Sequence, residues 1–158
     1  VRTPLPSKDM ILQACAGTVT IQHPVLQGAY ELASLHEARL DENTDIGAID
    51  RERDRLVSRI DSWVSADQPP AFDAACQHTE TVGMVIDRLA QFSVDARVAS
   101  KQGTSTLEFR YTQHRLTELA LGYSDLCFEI AAGTRRLPDF SFPVAEGDSA
   151  EPDRKCGP

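Results

Sequence analysis

A handful of polar side chains fall on or beside stripes that are otherwise apolar: His36, Glu37, Arg53, Glu80, Asp87, Arg88 and His114. Glu80 and Asp87 are seven residues apart, so on one helix that begins by Glu80 they share a side. Gly83 between them leaves space for a ligand or for a neighbouring backbone. Paired carboxylates near an arginine can divide the roles of general acid, general base and anion holder, because burial and charged neighbours push their proton affinities apart. On that chemistry the catalytic candidates are Glu80, Asp87 and Arg88, with Glu37 and His36, while Arg53, His114 and Tyr123 are candidates for holding a substrate. The plainer alternative is a set of ion pairs that fixes helix register, with the histidines hydrogen-bonded or at the surface and Tyr123 and Trp63 in the core.

Several common chemistries lack their residues. A carboxylate-bridged di-iron centre needs Glu-x-x-His pairs, and the residues three positions after Glu31, Glu37, Glu52, Glu80, Glu108 and Glu118 are Ser34, Leu40, Arg55, Gly83, Tyr111 and Leu121. No phosphate-cradling glycine loop, dinucleotide fingerprint, nucleophile elbow or zinc-protease histidine pair is present. His78 and Glu80 alone make a poor metal site, and no spacing indicates a third ligand. Cys15, Cys76, Cys127 and Cys156 are far apart and read as reduced thiols. No metal and no cofactor are expected.

The elements that must position these residues are helices. Ser7 can cap a short helix through MILQACA that ends at Gly17 and is expected to cover one end of the domain. The connector GTVTIQHP has some β character but no evident partner strand, so no sheet is expected. A helix rich in Leu, Ala and Glu follows from Val25 to about Asp41, its stripe including Tyr30 and Leu40. Asn43, Thr44 or Asp45 can cap the next, where Ile46, Ile49, Arg53, Leu56, Ile60 and Trp63 alternate by three and four until the SADQPP segment. After a loop, Ser65 to His78, of a length that often covers a site, a third main helix runs from near Thr79–Val82 to about Gln102. The fourth and longest starts at Thr104 or Ser105 and holds its register from Phe109 to Gly133. The fold expected is all-α: an antiparallel bundle of four main helices with a short N-terminal helix, one domain over 1–140, and a polar tail over 141–158.

Length and composition agree. The 158 residues suffice for one well-filled core, and 41% hydrophobic with 25% charged residues is ordinary globular usage. The formal charge of −8 leaves no continuous basic face, so nucleic acid is not an expected partner. No run approaches the length of a membrane span, and VRTPLPSKDM lacks the layout of a secretory signal, so a cytoplasmic location is expected. Lysine occurs only at 8, 101 and 155, an arginine bias that fits a high-GC, actinobacterial genome.

Four segments in order, YELASLHEARLD, IDRERDRLVSRID, HTETVGMVIDRLAQFSV and DLCFEIAAGTRRLPDF, resemble the bacterial domain-of-unknown-function 4254 family, most specifically at ETVGMVIDRL and IAAGTRRL. The resemblance spans roughly Leu5 to Phe140. The family's third helix opens with Glu-Ser/Thr, a proline or small apolar residue and Gly and closes on Asp-Arg-Leu, which corresponds to Glu80, Thr81, Val82, Gly83, Asp87, Arg88 and Leu89. Its acidic pair on the first helix maps loosely onto His36 and Glu37, and Arg53 stands where many members have asparagine. The resemblance implies an all-helical cytoplasmic protein and puts Glu80, Asp87 and Arg88 first among the polar candidates. No activity comes with it.

Two functions follow as expectations. A cofactor-free acid/base enzyme acting on a small molecule, such as a tailoring step in bacterial specialised metabolism, predicts an internal pocket reached by Glu80, Asp87 and Arg88. A non-catalytic homodimeric or ligand-binding module predicts, in its homodimeric form, a large apolar patch on an outer helix face.

Overall fold

The computed structural model describes residues 2–141 and 143, so the tail expected over 141–158 lies almost wholly outside them. Five helices account for most of the described chain, and each begins at a side chain able to cap it. Ser7 accepts the Met10 N–H (3.3 Å) to start α1, Lys8–Cys15, which ends before Gly17 at φ 104°. His23 caps α2, Pro24–Ala38, by accepting the Val25 N–H on Nδ1, and Pro24 takes the first turn, where no N–H is needed. Asp45, of the three candidates, caps α3, Ile46–Asp67. Thr81 caps α4, Val82–Lys101, and Ser105 caps α5, Thr106–Ala131.

Two boundaries move from where the sequence places them. α2 stops at Ala38, because the Thr44 hydroxyl and the turn from Arg39 take over its last carbonyls, and Leu40 is left exposed rather than in the stripe, as is Tyr30. α3 runs on through Ser65 and Asp67, since only Gln68, the residue before Pro69, is steered out of the helical region.

α4 is the central element, with α1, α2, α3 and α5 all packed on it. α2 and α3 also pack on each other across the short connection 39–45, whereas α5 meets α4 and α1 but approaches neither α2 nor α3. The short first helix does not cover an end as expected. It lies among α2, α4 and α5, with Ile11 and Ala14 fully buried. Leu26, Leu32, Ile60, Ile86 and Leu89 fill the core, each contributing on the order of 2 kcal/mol by leaving water. Tyr123, also buried, donates its hydroxyl to the Pro6 carbonyl (2.8 Å) and so ties α5 to the entry of α1.

The expectation of no sheet also needs correction. Cys76–Gln77 pairs in parallel with Arg135–Arg136, although TVTI forms no strand. Gly133, at φ 73°, turns the chain after α5 back beside the loop, and the Phe72 ring lies 3.1 Å from where a Cβ on Gly133 would stand. Arg136 then donates to the carbonyls of Phe72 and Asp73 (both 3.0 Å), and Arg135 forks onto Glu129. The GTRRL segment is therefore a clasp that pins the loop between α3 and α4 to the end of α5. Among the described residues no helix is long and apolar enough to cross a membrane.

Candidate functional site

Three helices converge on Asp87. α4 presents its carboxylate, α2 brings His36 Nε2 to 2.8 Å of Oδ1, and α3 brings Arg53, whose Nε and Nη2 donate to Oδ1 (3.2 Å) and Oδ2 (2.5 Å). Arg53 and His36 each follow the apolar spacing of their helix, which is why both point inward. The cluster extends outward through Asp50, which accepts from Arg53 (3.0 Å) and from Arg39 (2.9 Å). Burial alone would push the Asp87 carboxyl up, but the hydrogen bonds from His36 and Arg53 outweigh it and hold its pKa below the ordinary value. The hydrogen bond to Asp87 correspondingly raises Arg53.

Glu80 belongs to a different pair. α4 begins at Val82, so Glu80 precedes the helix and does not share a helical face with Asp87; its carboxylate binds Arg88, which is half exposed. Glu37 binds Arg97 of α4, which also donates to the Cys15 carbonyl (2.7 Å) and so joins α1, α2 and α4. His114 stands exposed on α5 beside Glu118, and Tyr123 faces Pro6. The structure thus gathers His36, Arg53 and Asp87, sets Glu80 with Arg88 and Glu37 with Arg97, and leaves His114 and Tyr123 apart from all three groups.

The glycine between Glu80 and Asp87 makes room for backbone. A Cβ on Gly83 would stand 2.5 Å from the Val57 carbonyl oxygen and 2.8 Å from Asp61 Oδ1. Asp61 of α3 accepts the Gly83 N–H (2.7 Å), an added cap on α4 from a neighbouring helix, and burial pushes its carboxyl up. Two surface depressions, of about 370 and 540 Å³, are lined by residues of 52–59 and 19–27, and neither reaches Asp87, His36, Glu80 or Arg88. Among the described residues no three His, Cys, Asp or Glu side chains converge as a metal would require.

Sequence reasoning missed Asp50, Asp61, Arg39 and Arg97. Asp50 is three residues before Arg53 and was findable as a helical neighbour; the others depend on contacts between elements that no local spacing encodes.

It also left unnamed the residues on the outer side of α5. The buried stripe Thr112, Ala120, Tyr123, Leu126 and Ile130 faces α4 and α1. On the opposite side Leu107, Tyr111, His114, Glu118, Leu121, Asp125 and Phe128 recur by four and three residues. The apolar members are wide open to solvent, Leu107 at 79%, Tyr111 at 60%, Leu121 at 52% and Phe128 at 77%. An apolar stripe at helical spacing on a helix that touches only two neighbours is a second candidate site, of an interaction kind. The signal was present in the sequence as a second three-four repeat, offset from the first.

No curated protein and no solved structure matches the chain. A family model described as a protein of unknown function, DUF4254, matches residues 35–138, a span that contains His36, Arg53, Asp87, the Gly83 contact and the GTRRL clasp. This all-α helical protein belongs to the DUF4254 family.

Proposed function

We propose that this protein is a non-catalytic helical interaction module, homodimeric through the outer face of α5. The observation that carries the proposal is the exposed stripe from Leu107 to Phe128 on the one long helix that packs on neither α2 nor α3. The polar cluster supports it from the other side. Asp87 is bound by His36 and Arg53, and Glu80 by Arg88, the mutual pairing that a register-fixing network requires. Light scattering of the pair of substitutions L121E and F128E tests it. Both side chains face water in the single chain, so helicity should be kept while a wild-type dimer becomes a monomer and melting loses its dependence on protein concentration; a variant that keeps a dimeric wild-type mass, or a wild type that is itself a monomer, would contradict the proposal.

One observation favours a second reading, acid/base chemistry on a small molecule. Asp87 holds His36 through Nε2, and Nδ1 takes no hydrogen bond among the described residues, the arrangement of an imidazole oriented by a carboxylate and left with one ring nitrogen to exchange protons. Imidazole nitrogen resonances of His36, followed while small carboxylates and phosphates are added, would shift under this reading. No response to any of them would count against it.

A further inference from the structure

We propose that the second copy lies antiparallel along α5. This rests on α5 being the assembly face and adds which ends of the two helices meet. The outer stripe is polarised: Arg110 lies toward its N-terminal end and Asp125 toward its C-terminal end, both exposed, while Glu118 sits at its midpoint beside His114 of the same helix. A lone helix gains nothing from having Arg110 and Asp125 at those ends, since acidic groups are favoured toward the N-terminal end and basic groups toward the C-terminal end. Two copies do gain from it. In an antiparallel pair with Leu107 of each helix against Phe128 of the other, Arg110 lies against Asp125, twice over by symmetry. A parallel pair would set basic against basic and acidic against acidic. The 26-residue helix is about 39 Å long, so the two Arg110–Asp125 contacts stand toward opposite ends of the pair and select one orientation.

Charge reversal distinguishes the arrangements. Sedimentation equilibrium of the full chain would be measured for R110E, for D125K, and for the two changes combined. Each single reversal turns two opposite-charge contacts into like-charge ones and should weaken association about tenfold, and the combined chain should recover wild-type affinity to within about threefold. In a parallel pair neither single reversal would weaken association, and that result, or a failure of the combined chain to recover while the wild type dimerises, overturns the antiparallel arrangement alone. A wild-type monomer at every concentration, including one whose own C-terminal residues cover α5, overturns the assembly face as well. Circular dichroism of each variant separates loss of pairing from loss of fold.

Discussion

Asp87→Asn removes one charge from the meeting point of α2, α3 and α4 and keeps the shape. Breaking a buried ion pair typically costs about 3–5 kcal/mol, because the surviving charge stays buried without a partner. Here the cost is smaller for two reasons. The Asp87 and Arg53 side chains are 15% and 21% exposed, so water reaches both, and Asp50 continues to hold Arg53. The asparagine carbonyl also keeps one bond to the guanidinium. About 2 kcal/mol remains, a drop in melting temperature of roughly 4–8 °C for a chain of this size. The pH dependence is specific. The folded Asp87 carboxyl titrates below its ordinary value of 3.8, so its stabilisation is complete above that value and is lost as pH falls through the folded pKa. Thermal melts of wild type and D87N should therefore differ by the full amount near neutrality and converge as the pH falls below 3.8. A difference under about 0.5 kcal/mol at neutral pH, or one that persists unchanged in acid, would refute the role given to this cluster. E80Q is the contrasting control: its partner Arg88 is half exposed, so the loss should stay under about 1 kcal/mol.

Gly83→Ala places a methyl group 2.5 Å from the Val57 carbonyl and must push α3 from α4; denaturant unfolding should show a loss of about 3 kcal/mol, and a neutral result would mean the helices are not in contact there. Tyr123→Phe leaves the Pro6 carbonyl without its donor and should cost about 1–2 kcal/mol, with the N-terminal segment exchanging amide hydrogens faster. Cys15 is buried and its thiol is pushed up to about 12, so maleimide labelling at neutral pH should modify exposed Cys76 and spare Cys15 until the protein unfolds. Equal labelling of the two in the native protein would contradict the packing of α1.

The helices were legible because caps and apolar spacing are local signals: Ser7, Asp45 and Ser105 all start helices where the sequence offers them as caps. Arg53 and His36 were legible as intruders in apolar stripes and Asp87 as a candidate carboxylate, though the pairing of the three was not, because it depends on how three helices meet. Glu80 and Asp87 looked like a pair only on the assumption that α4 began early. Thr81, as the cap, puts Glu80 outside the helix. The position of α1 and the Cys76–Gln77 pairing with Arg135–Arg136 were illegible for the same reason, since both join segments far apart in the chain.

Sedimentation velocity of the wild-type chain over a dilution series tests the central claim, assembly through the outer face of α5, most directly. The measured mass should rise from 17.4 kDa toward twice that value as concentration increases, and the L121E and F128E substitutions together should abolish the rise. A mass of 17.4 kDa at every concentration would contradict it.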